Sequence, residues 1–121
     1  CWRAISPFNL ALSEALADHI GETAAEKARA PFSFRDGDLI KRLLEAAGFN
    51  VARHDAIVLQ RRFENLAAQI LALPVEKDMR AAGTAVTDSV IADVAGRLAP
   101  YDQSGCFVVP QEAHLFLVTK Q

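Results

Sequence analysis

The stretch Leu43–Phe63, LLEAAGFNVARHDAIVLQRRF, runs a helix through a single glycine into a long strand. Leu39, Ile40, Leu43, Leu44 and Ala47 make one apolar helical stripe, and Asp36 or Asp38 can cap its start. Gly48 ends it, because glycine adopts at little cost the left-handed conformation that terminates helices. Residues 50–63 are rich in β-branched and apolar side chains and predict a strand. Val51, Ile57, Leu59 and Phe63 share one parity, with Arg53, Asp55 and Arg61 interrupting it. The interruptions point to a strand exposed on one side or bent by a bulge.

A second strand closes the chain: Cys106–Val109 and Ala113–Lys120, expected to be broken or bulged at Pro110, which has no N–H for a ladder. Helices fill the rest. Ser6-Pro7 is a start signal, and Phe8, Leu12, Ala15, Leu16 and Ile20 recur at helical spacing over residues 7–20, with Gly21 as C-terminal cap. Residues 22–29 predict a polar, Ala-rich helix stopped by Pro31, and residues 31–36 an apolar-tipped loop. Residues 65–73 predict a short helix ending before Pro74, and residues 75–82 a further turn or two. Thr84 or Thr87 opens a helix carrying Val90, Ile91, Val94 and Leu98, and Tyr101–Gly105 is a turn. Two long strands separated by helices imply an antiparallel pair covered by helices on at least one face. For the isolated chain that is an α+β architecture in a single domain, 1–121.

Composition narrows the function classes. At 121 residues the chain can bury a real core without disulfides or metal. The formal net charge of −2 gives no footing for nucleic acid or an anionic membrane. Cys1 and Cys106 have no metal-ligand spacing, and reduced, cytoplasmic thiols are the default expectation. No apolar run approaches the roughly 18 residues of a transmembrane helix, and no signal peptide is visible. A mature lipoprotein also begins with Cys, but no polar tether follows here, so a truncated, processed or partial chain is the expectation.

The order of elements resembles the C-terminal half of a class I S-adenosylmethionine-dependent methyltransferase of the small-molecule, ubiquinone/menaquinone-biosynthesis type. Leu39–Gly48 with its AGF turn resembles the helix before strand six, Val51–Phe63 strand six, and Cys106–Lys120 strand seven, which in that family inserts antiparallel between strands five and six. Cys1-Trp2-Arg3 looks like the end of strand five, where the family has a VWR-like segment. Residues 7–30 and 64–99 match the helical insertions that cap the active site, 31–63 the helix and strand between them, and 105–120 the terminal strand. The resemblance implies a parent enzyme that uses S-adenosylmethionine. This chain lacks the family's Gly-rich loop and ribose-binding acid: its glycines, at 21, 37, 48, 83, 96 and 105, are all isolated. No cofactor-binding, catalytic or metal residue carries over, and the isolated chain is expected to be inactive.

For substrate, the resemblance places Trp2, Arg3, Phe8, Phe32, Phe34 and His114 near the acceptor pocket, where aromatics could stack on an apolar ligand; ordinary core packing is the competing explanation. His114 shares a strand face with Glu112, which could make a general-base pair or simply a partly exposed pair. His19 reads as a polar helix edge and His54 as solvent-facing beside Arg53. Cys106 reads as a buried structural thiol rather than a nucleophile, and Arg61-Arg62 as a solvated strand end. Without a full strand five, one edge of Cys106–Lys120 is left unpaired, which leads to the expectation of a homodimer. The alternative function is a stand-alone, non-catalytic dimeric module that binds a small apolar ligand or a protein partner.

Overall fold

The computed structural model describes residues 2–121. Its backbone is a ribbon of two strands, β1 (Phe49–Phe63) and β3 (Cys106–Lys120), paired antiparallel from Phe49↔Lys120 to Phe63↔Phe107. At about 3.3 Å per residue such a ribbon is about 50 Å long. A short strand, β2 (Asp102–Gln103), pairs with Phe107 and Cys106 on the other side of β3, giving the sheet order β1-β3-β2. The helices are α1 (Pro7–His19), α2 (Glu22–Arg29), α3 (Gly37–Ala46), α4 (Leu66–Leu71), α5 (Glu76–Ala82) and α6 (Thr84–Arg97). The mixed architecture is the α+β fold expected.

The α3–β1 joint is built as the sequence implies. Asp36 rather than Asp38 caps α3, its carboxylate accepting from the backbone N–H groups of Asp38 and Leu39 at 3.0 and 3.2 Å. Gly48 takes φ +95° just past the helix end, where a side chain would be strained. Its carbonyl then accepts from the Gln121 N–H at 2.9 Å, so the ladder starts at the turn itself.

Two features of the ribbon depart from the sequence reading. The register shifts between Val51 and Arg53, so Ala52 is a bulge. Val51 pairs with Val118, whereas Ile57 and Leu59 pair with Ala113 and Gln111. Opposed residues share a face and β3 alternates without interruption, so Val51 lies on the opposite face from Ile57, Leu59 and Phe63. The single parity inferred for those four residues is therefore corrected. The second departure is Pro110, at which β3 runs on unbroken. The Arg3 N–H donates to the Glu112 carbonyl at 2.9 Å, on the side of β3 away from β1. Backbone groups alternate sides along a strand, so Pro110, two residues earlier, also faces that side and removes no bond from the β1–β3 ladder.

The two faces are covered at opposite ends. One face presents Ile57, Leu59, Arg61 and Phe63 of β1 with Phe107, Val109, Gln111 and Ala113 of β3. The helices other than α3 pack over its Phe63–Val109 end, where Phe8, Leu12, Leu16, Ile70, Met79, Val90, Val94 and Leu98 complete the core. Helix α2, polar by composition, turns Ala24, Ala25 and Ala28 into this core. A buried polar chain ties it to α1: Ser6 Oγ donates to Asn9 Oδ1 at 2.9 Å, and Asn9 Nδ2 to the Ala28 carbonyl at 3.0 Å. Arg61 fits this apolar face by laying its guanidinium 5.1 Å from the Phe63 ring centroid and donating to buried Gln111 at 3.2 Å. Arg61 stays exposed, as expected of a solvated strand end, with these two contacts added.

Beyond Ala113 that face is bare. Leu115 and Leu117 are 53% and 60% exposed, and Arg53 and Asp55 pair with each other beside them. Two of the charged interruptions of β1 parity, Arg53 and Asp55, thus lie beyond the point where helical cover stops. The opposite face is covered only at this far end, where α3 lies over β1 and Gly37 meets His54 and His114.

Phe63 joins sheet to bundle, stacked on Phe8 at 4.6 Å between ring centroids. Truncation with Phe63→Ala is expected to cost about 3–5 kcal/mol. Val58→Thr, at a position 58% exposed, should stay within about 0.5 kcal/mol. Urea unfolding of the two variants checks the contrast.

Candidate functional site

The residues leading into α1 cross the outer edge of β3. Trp2 forms an antiparallel bridge with Ala113, and Arg3 bonds to Glu112 as described. The Trp2 ring meets Phe32 with centroids 5.8 Å apart and planes tilted by 31°. Phe32 is buried at the end of a 3₁₀ turn, Ala30–Phe32, that Pro31 starts where α2 stops. Next to this pair lies a cleft of about 470 Å³, lined by Ile5, Glu26, Arg29, Phe32, Ser33 and Arg35. Its apolar wall is Ile5 and Phe32, and its rim is charged.

The six substrate candidates therefore separate. Trp2 and Phe32 come together beside the cleft. Phe8 is 3% exposed and belongs to the core with Phe63. Phe34 is 47% exposed on the loop before α3. Arg3 has an exposed side chain and anchors the edge through its backbone. Cys1 lies outside the described residues.

His114 takes a different role from the pairing with Glu112. Its Nε2 bonds to the Arg35 carbonyl at 2.8 Å and its Nδ1 to His54 Nε2 at 2.9 Å. Both ring nitrogens are occupied, and Glu112, exposed on the same strand face, bonds to neither. His54 stacks on Phe116 at 4.2 Å and 12°. It is exposed, as expected, and is in addition held in a cluster. Sequence reasoning missed the contact because the partners are 60 residues apart. The signal was the ladder: His54 pairs with Phe116, which puts it diagonally beside His114.

Cys106 is half-buried and receives a hydrogen bond from Arg62 Nη2 at 3.1 Å, a cationic neighbour that the reading of an inert apolar thiol did not include. Among the described residues, no group of three or more His, Cys, Asp or Glu side chains could hold a metal ion. No helix there is long and apolar enough to cross a membrane. No family model matches the chain, and no curated protein matches it either.

The densest charge cluster sits away from the cleft, between α1 and α6. Arg97 binds Asp93 at 2.9 Å, Asp18 at 2.8 Å and also Glu14, while His19 bonds to Asp93 at 3.1 Å. The Arg97 hydrogen bond holds the Asp93 carboxyl below its ordinary range, outweighing desolvation, with the Arg97 charge and His19 helping. The same contact raises the Arg97 guanidinium. This cluster clamps helices together, and Glu14 and Arg97 border only a small hollow of about 170 Å³.

A carboxyl with a lowered folded-state pKa stabilises above its unfolded value, about 3.9, and loses that contribution as pH falls through the lower folded value. The stability difference between wild type and Asp93→Asn should therefore be constant above about pH 5 and shrink below about pH 4. Urea midpoints measured across that window check it.

Proposed function

We propose that this chain is the C-terminal, acceptor-capping portion of a small-molecule S-adenosylmethionine-dependent methyltransferase, and that the cofactor-binding half belongs to a longer parent. The supporting observation is the Trp2–Ala113 bridge. It sets the segment likened to strand five antiparallel on one side of β3, while β1 lies antiparallel on the other. That is the neighbour relation expected among strands five, seven and six. Ile5 and Phe32, with Trp2 packed against Phe32, then form the apolar side of an acceptor cleft beside the end of the strand-five segment. Within the parent, S-adenosylmethionine would supply the methyl group, and this portion would bind and orient the acceptor. A cytoplasmic setting belongs to the same proposal.

Calorimetry tests it on two proteins. The 121-residue chain should give no heat with S-adenosylmethionine, and the full native gene product should bind it in the micromolar range. Micromolar binding by the chain alone, or no binding by the native product, overturns the reading.

The bare outer edge of β3 supports a second reading, a stand-alone module that pairs with a second copy. Leu115 and Leu117 lie exposed on a strand paired with β1 on one side only, and its open outer edge invites such pairing. Light scattering at tens of micromolar would then give a dimer mass, and a monomer mass removes it.

A further inference from the structure

We infer that His54 and His114 form a latch that holds the N-terminal end of α3 on the sheet while the pair carries at most one added proton, and releases it when both imidazoles are protonated.

The Arg35 carbonyl can only accept, so the hydrogen between it and His114 sits on Nε2. In the neutral ring that leaves His114 Nδ1 as an acceptor, and His54 Nε2–H donates to it across 2.9 Å. A first added proton fits this arrangement: it goes to His54 Nδ1 and leaves His54 a stronger donor. A second has no place. It must enter at His114 Nδ1, which sets two N–H groups head to head and two positive charges in contact.

Among the described residues, no carboxylate bonds to either ring to hold that second charge. Asp36, next to Arg35 in sequence, turns Oδ1 to the cap of α3. Asp38 and Arg35 come from the same segment, and Lys41 lies one turn further on. On β3, Glu112 shares the face but bonds to neither ring. Arg53 and Asp55 of β1 point to the other face, paired with each other. The α3 N-terminus, with Gly37 seated against both imidazoles, adds its positive end.

Helix α3 has few other attachments. Ile40 is its one buried residue, and Leu39 and Leu43 are exposed. The close seat needs glycine, since a Cβ on Gly37 would lie 2.8 Å from His114 Cε1 and 2.9 Å from His54 Cε1. Release would free the segment from Ser33 to Asp36. Arg35 is also a wall of the cleft, so the latch couples acidity to the shape of that cleft, whether or not the cleft takes a methyl acceptor.

The sign follows from proton count. The released state binds two protons in acid and the latched state one, so docking weakens as pH falls through the histidine range. Amide exchange of α3, corrected for intrinsic rates, should show opening rise about fivefold or more between about pH 8 and about pH 5, the equivalent of one lost hydrogen bond with added repulsion. His54→Gln supplies an uncharged amide that can turn either its N–H₂ or its carbonyl to His114 Nδ1, so it matches both protonation states of His114 and should abolish the pH dependence with α3 still docked. Gly37→Ala should raise opening at both pH values. In wild type, the Cε1–H resonances of the two rings should titrate in two steps, the second coinciding with α3 opening; this readout needs no variant to fold. Exchange independent of pH in wild type, pH dependence retained in His54→Gln, or two independent single-step titrations would each overturn the inference.

Discussion

Everything in this protein hangs on the β1–β3 ladder. The two strands are fifteen residues each and pair from Phe49↔Lys120 to Phe63↔Phe107, and no other pairing in the sheet is of comparable length. A ribbon of two strands is marginal in water unless something packs on it. Here the packing comes from two directions: the helical bundle covers one face at the Phe63–Phe107 end, and α3 covers the other face near the Phe49–Lys120 end. The bulge at Ala52 makes the second contact work. It turns Phe49 and Val51 to the side where His114, Phe116 and Val118 lie, so the residues closest to the α3 joint point back toward α3.

This arrangement separates a firm half from a light one. The bundle half holds the largest buried side chains and a polar chain from Ser6 to Ala28 with every partner satisfied. The α3 half rests on one buried isoleucine, a glycine seated on two imidazoles, and the hydrogen bonds those imidazoles make. The cleft lies near the boundary, with Ile5 and Phe32 on the firm side and Arg35 on the light side. A ligand there would touch both halves, which gives a physical route by which docking of α3 bears on the cleft.

Local chemistry was the legible part of the sequence. Ser6-Pro7, Asp36 and Gly48 stand where helices start and stop, because capping depends on residues within one turn. The two long strands and their antiparallel relation were legible from composition and length. What escaped depends on partners far along the chain. Nothing within β1 alone says that Ala52 is the bulge, so Val51 was assigned to the wrong face. Pro110 reads as a break until Arg3 shows which side of β3 its missing donor faces. The contact of His54 with His114, the bond of Arg61 to Gln111, and the gathering of Glu14, Asp18 and Asp93 around Arg97 all arise from tertiary packing.

Amide exchange along the far half of β3 is the most direct measure of this organisation. Leu115, Leu117 and Thr119 point their N–H groups to β1, whereas Phe116 and Val118 point theirs to the outer edge. In dilute solution the first three should exchange slowly and the other two quickly. Equal, fast exchange at all five would contradict a ladder that runs the full length of both strands.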